Sequence, residues 1–158
     1  MSSEVRAARP GDGAAIHAMV EALAISYGEA EHFTARPTDY EAALFAPQSI
    51  IGALIATVAG DPAGCAIWHR SFSTFRGRET IYLEDLCVLP AFRRRGIARA
   101  LLRAVARLAT ARGVPAVTWM MMPWNDAARK LYAEAGAEIK EGICYCRLHG
   151  EALERLAQ

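Results

Sequence analysis

Three extended runs in succession, at residues 50–58, 63–75 and 80–88, constrain the fold of this chain more than any other feature. The first stops at Ala59-Gly60-Asp61-Pro62, the second at Arg76-Gly77-Arg78, and Pro90 ends the third. Turn residues placed between short extended runs predict hairpins, so the three strands form an antiparallel meander. Behind them the period changes. Ile97, Leu101, Val105 and Leu108 form one helical stripe, with Arg99, Arg103 and Arg107 outside it and Gly113 at its end. A strand at 116–122, a helix at 125–135 closed by Gly136 and a last strand at 138–148 follow. A meander feeding a β-α-β-α-β tail is a mixed, mostly antiparallel α/β sheet of about six or seven strands, flanked by helices.

The segment ahead of the meander fits that layout. Residues 5–8 read as a first strand and Pro10-Gly11-Asp12 as a turn. Asp12 is a natural N-cap for a helix whose buried positions are Ile16, Met19, Val20, Leu23 and Ala24. Residues 27–37 are polar and irregular. Thr38-x-x-Glu41 has the form of a capping box for a short helix running to about Phe45, before Pro47. Ala152, Leu153 and Leu156 mark a terminal amphipathic helix. At 158 residues the whole is expected to be one domain, residues 1–158.

Composition removes several functions. Eighteen Lys and Arg against 17 Asp and Glu leave a net charge of +1, too little basic excess for a bulk nucleic-acid binder. The first residues carry no apolar leader, and the longest apolar run, near residues 50–59, is far short of a membrane span. Four cysteines are too few for a disulfide scaffold. Cys144-x-Cys146 with His149 lacks the second ligand pair that a closed zinc site needs, and His17, His32 and His69 have no ligand spacing. A cytoplasmic protein without a metal, a membrane or a nucleic-acid partner is the expectation.

The chemistry concentrates around the third strand of the meander. Leu83-Glu84-Asp85-Leu86-Cys87-Val88 leads through Pro90 into Arg93-Arg94-Arg95-Gly96-Ile97-Ala98-Arg99, where the long helix begins. A strand, a sharp turn and a helix N-terminus present free backbone N–H groups and the positive end of a helix dipole. That arrangement suits a phosphate or pyrophosphate. Gly96 admits the phosphate close to the backbone, Ala98 is small for the same reason, and the arginines reach its outer oxygens. An ordinary helix start with solvated arginines would share this composition.

The spacing Arg93-x-x-Gly96-x-Ala98 resembles the acyl-CoA-binding signature Q/R-x-x-G-x-G/A of the GNAT superfamily of N-acetyltransferases. Trp124-Asn125-Asp126-Ala127-Ala128-Arg129-Lys130-Leu131-Tyr132, with Ala135-Gly136-Ala137, is similar to that family's later N-x-x-A-x-x-x-Y…G-A segment. Within the superfamily, Tyr82-Leu83-Glu84-Asp85, Trp124-Asn125 and Cys146-Arg147-Leu148 look most like the diamine (spermidine/spermine) and thialysine acetyltransferase branch. Cys87 departs from that branch, which tends to carry an aromatic there, and Ala98 replaces a glycine. The resemblance implies acetyl-CoA as co-substrate, held by Leu86, Cys87, Val88, residues 93–99 and Asn125. It also implies a homodimer and a small amine acceptor, with a protein N-terminus or lysine side chain as the alternative. A non-catalytic acyl-CoA-binding module is the other class left open.

Amine chemistry sets the remaining roles. A primary amine arrives protonated and attacks a thioester only after a base removes a proton, and the departing thiolate then takes one from an acid. Asn125 and Tyr132 are seven residues apart, two helical turns, so a helix carries them on one face. A tyrosine hydroxyl can donate to a thiolate, which makes Tyr132 the acid candidate. Glu84 and Asp85 are the base candidates, and adjacent strand residues face opposite sides unless a bulge intervenes. The resemblance favours Glu84 as base with Asp85 orienting the amine. It also places Tyr27 and Glu29, in the polar segment after the first helix, at the acceptor site, where Glu31 adds a further acidic group.

Overall fold

The computed structural model describes residues 3–158, which form two compact units, one up to Met122 and one from Pro123 to Gln158. In the first unit β1 (Ser3–Ala7) is followed by α1 (Gly13–Tyr27) and α2 (Pro37–Phe45). Then come β2 (Ile51–Val58), β3 (Asp61–Ser73), β4 (Arg78–Val88), α3 (Ile97–Ala111) and β5 (Val117–Thr118). The second unit holds α4 (Asp126–Glu134) and α5 (Gly150–Leu156). Among the described residues no helix is long and apolar enough to cross a membrane.

The sheet is mixed and five-stranded, in the order β1-β2-β3-β4-β5. The first three pairings are antiparallel and β4–β5 is parallel; the turns at Ala59-Gly60 and Gly77 account for β2–β3 and β3–β4. Ala59 and Gly60 turn β2 into β3 with φ of 53° and 92°, the two positive values of a type I′ hairpin. The expected six or seven strands become five. Residues 138–148 alternate like a strand but form no ladder with any described residue, and β5 shrinks to two residues.

One face of the sheet carries Ala53, Ile55, Cys65, Ile67 and Cys87 against Ile16 and Met19 of α1 and Leu44 of α2. On α3, Ile97, Leu101, Leu102, Val105 and Ala109 are buried, while Leu108 is half-exposed; the stripe lies slightly round the helix from its expected line. Burying each large aliphatic side chain contributes about 1.5–3 kcal/mol, so these two layers hold the unit together.

The N-termini of α1 and α2 are closed by residues other than those expected. Asp12 occupies the N-cap position of α1, but its carboxylate is taken by Arg6, at 2.7 and 2.9 Å, and by the Arg9 amide. The first amide of α1 and one just ahead of the helix go instead to Glu41 of α2: Gly13 N and Gly11 N both donate to Glu41 Oε1 at 2.8 Å. Glu41 is therefore not part of a capping box with Thr38. Pro37 starts α2, and Asp39 Oδ2 accepts from Arg36 N at 2.8 Å.

Candidate active site

Strand β4 does not run regularly. Leu83 pairs with Trp68 and Asp85 pairs with Ile67, leaving Glu84 as an extra residue between them. Such a β-bulge bends the strand and re-aims its side chains. As a result Glu84 and Asp85 both line one cavity of about 410 Å³. The alternation expected of neighbouring strand residues is overridden at this point.

The two carboxylates have different surroundings. Asp85 is half-buried, and its carboxyl is pushed up to about 6 by burial first and by the charge of Glu84 second. Glu84 is exposed, with Oε2 3.5 Å from His69 Nε2. His69 stacks on Tyr82, at 5.0 Å between ring centroids, and its Nδ1 lies 3.1 Å from the Arg70 carbonyl.

The opposite wall comes from α2 and the loop before it. Tyr40 lines the cavity there, its hydroxyl pushed up to about 12 by burial and then by the charge of Asp85, so it remains a neutral phenol. His17 braces this wall, with Nε2 3.0 Å from the Ala35 carbonyl and its ring near Phe33 and Tyr40. Neither Tyr40 nor His69 was marked by the sequence. Their signal is positional: His69 lies across from Tyr82 in the ladder, and that register exists only once the bulge is placed.

Next to the bulge, β5 pairs with β4 only at Ile81 and Tyr82, so the ladder on that side of β4 ends before the carboxylates. Leu86, Cys87 and Val88 pair with β3 and have no ladder partner on the other side among the described residues. The side chain of Cys87 faces the core, with Sγ 3.2 Å from Cys65 Sγ, so only its backbone is available to a ligand. After β4, Arg94 takes a left-handed φ of 63° and Gly96 one of 78° as the N-cap of α3. Ala100 N, donating to Gly96 O, makes the first intrahelical bond, so the amides before it point out of the helix end. Gly96 offers them no side chain, whereas Glu41 serves α1 and Asn125 serves α4. A Cβ built on Gly96 meets nothing within 4 Å. The space in front of Gly96 is open.

The arginines are less uniform than the run suggests. Arg93 Nε donates to the Val88 carbonyl at 3.2 Å and Arg95 lies over the Phe92 ring at 5.6 Å, while Arg94 is exposed. Ile97 is core, and Ala98 and Arg99 lie half-buried in the first turn of α3.

A family model described as the acetyltransferase (GNAT) family matches residues 16–137, more than half of the chain. The chain belongs to the GNAT acetyltransferase family. This GNAT chain is 33% identical over 94 residues to an L-ornithine N5-acetyltransferase of Arabidopsis thaliana, an alignment covering 60% of the chain but only 41% of that relative. It is 30% identical over 171 residues to a thialysine N-epsilon-acetyltransferase of Mus musculus, covering 99% of the chain and 98% of that relative. An aminoglycoside N-acetyltransferase solved in complex with CoA shares the fold, with a TM-score of 0.74 at 24% identity over 92% of the chain and 94% of its own.

The remaining expected site residues fall elsewhere in this GNAT chain. Tyr27 ends α1, and Glu29 lies 3.0 Å from His32 Nδ1; neither is among the residues lining the cavity. In the C-terminal unit Asn125 is the N-cap of α4, its Oδ1 accepting from Ala128 N at 3.1 Å. Tyr132, seven residues on, is 8% exposed. Cys144 and Cys146 are exposed thiols, and no group of three or more potential metal ligands occurs among the described residues.

Proposed function

We propose that this chain is an N-acetyltransferase that moves an acetyl group from acetyl-CoA to a primary amine by direct attack. The observation that carries this reading is the bulge at Glu84, which turns two carboxylates onto one cavity beside an open strand edge and an uncapped helix N-terminus. Acetyl-CoA supplies the acyl group as a thioester. The residues present fit it: the backbone of residues 86–88 offers amide hydrogen-bonding groups to an extended amide-bearing chain, and the amides at Gly96 suit a pyrophosphate.

Asp85 takes the proton from the incoming ammonium. A carboxyl raised to about 6 is a stronger base than an ordinary one and is still ionised at neutral pH. Glu84, exposed beside His69, passes that proton towards solvent, so the role the resemblance gives to Glu84 is shared between neighbours. The nitrogen then forms its bond to the acyl carbon as the carbon–sulfur bond breaks. Tyr132 donates its hydroxyl proton to the leaving sulfur, and the nitrogen, now part of the amide, sheds its second proton to solvent, from which Tyr132 is reprotonated.

The test is release of free CoA thiol from acetyl-CoA by the purified chain with a panel of primary amines. Turnover that is lost in both Asp85→Asn and Glu84→Gln while acetyl-CoA still binds supports the reading. Binding of acetyl-CoA with no turnover on any amine or protein acceptor would replace it with a binding module.

A further inference from the structure

Resting on that reading, we propose that the preferred acceptor is a primary monoamine on an apolar stem, an arylalkyl- or alkylamine, rather than a polyamine or an amino acid. The carboxylates of the cavity that are not paired with an arginine are two neighbours. Glu84 and Asp85 stand together at the bulge, while Tyr40, Leu44, Ile51 and Ile67 make the wall beyond them apolar. At about 410 Å³ it lies near the low end of small-molecule sites, roughly 300–1,000 Å³.

A third carboxylate, Asp39, reaches the lining but is already committed. Its Oδ1 accepts from Arg36 Nη2 at 2.9 Å and its Oδ2 from Arg36 N at 2.8 Å, so releasing it would open the N-terminus of α2. The second ammonium of a polyamine, a few methylenes from the first, would therefore lie against aliphatic carbon without a free counter-charge. Desolvating a charge without a partner is strongly unfavourable. An amino acid fares no better. No Lys or Arg is among the lining residues, and its carboxylate would share the cavity with three others. One ammonium at the bulge and a hydrophobic body along Tyr40 and Ile67 leaves no charge of the acceptor without a partner.

The experiment compares phenethylamine and hexylamine with spermidine and lysine on the full chain, by kcat/KM and by calorimetric binding. The expected result is at least a tenfold preference for the two monoamines in both measurements. Ala43→Glu adds a carboxylate on an exposed position of α2 that lines the cavity, and it should narrow the ratio of phenethylamine to spermidine at least threefold. Equal or better use of spermidine or lysine by the unmodified chain overturns the proposal, as does a ratio unmoved by Ala43→Glu. If no amine turns over, acetyl transfer is refuted but the binding order still decides the acceptor class. Tighter phenethylamine supports it, and tighter spermidine, or no amine binding, overturns it.

Discussion

Glu41 Oε1 receives the amide hydrogens of both Gly11 and Gly13 at 2.8 Å, so α2 provides the N-terminal cap of α1 from 28 residues away. The contact is tight: a Cβ on Gly13 would come within 2.7 Å of Glu41 Cγ and of the Pro37 carbonyl. Since α2 is also the wall of the cavity, one carboxylate holds both stability and site shape. Glu41→Ala is expected to cost about 1–2 kcal/mol, the upper part of the range for lost caps, read as a shift of the urea midpoint at constant slope. KM for the amine should rise while acetyl-CoA affinity stays unchanged.

Asp85 gives two pH dependences of opposite benefit. As base it must be ionised, so kcat/KM should climb through about pH 6, and Asp85→Asn should remove that limb and lower the rate by roughly 10²–10⁴. For stability the sign reverses. A carboxyl raised from 3.8 to about 6 on folding favours the protonated form, so its ionisation opposes folding at every pH above about 6. That cost fades as pH falls and is gone below about 4. Asp85→Asn should therefore be more stable than the parent at pH 8, by up to about 3 kcal/mol, with the gap closing in acid. Denaturant melts at both pH values check the sign.

Gly96→Asp places bulk and negative charge where α3 opens. Its φ of 78° costs a side-chain-bearing residue about 1–2 kcal/mol, visible as a modest loss of thermal stability. Acetyl-CoA affinity should fall far more than that strain accounts for, and unchanged calorimetric affinity would remove the phosphate assignment.

Tyr132→Phe keeps the ring and deletes the hydroxyl. Turnover should drop by roughly 10²–10⁴ with little change in acetyl-CoA binding, if the phenol protonates the thiolate. A variant with parental turnover across the pH profile would hand that step to solvent.

The C-terminal unit exposes Ile143, Tyr145 and Leu148 in the segment that alternates like a strand. We expect the chain to be a homodimer in solution. Light scattering at micromolar concentration should give twice 17.2 kDa. A monomer mass excludes it.

The meander was readable because Ala59-Gly60 and the turn at Gly77 stop short apolar runs, and α3 because its stripe has a clear period. The start of α3 was readable because Gly96 stands directly before an amphipathic stripe, and it is indeed the N-cap there. What the chain does not spell out are relations between distant residues. The bulge depends on how β3 lies against β4, and nothing in Leu-Glu-Asp-Leu marks the extra residue. Thr38 and Glu41 have the spacing of a box, yet Pro37 sets the helix start two residues earlier and frees Glu41 for another helix. Residues 138–148 have a strand's alternation, but a strand exists only with a partner, and alternation does not name one.

The early end of the β4–β5 ladder also bears on how the protein is handled. An unpaired strand side is a template on which a second chain can add, the first step of ordered aggregation. Here that unpaired backbone is the same stretch proposed to hold the acyl carrier, so a bound carrier would mask it. Preparations kept with CoA are expected to stay dispersed on storage and concentration, while stripped ones cloud, making solubility a reporter of occupancy.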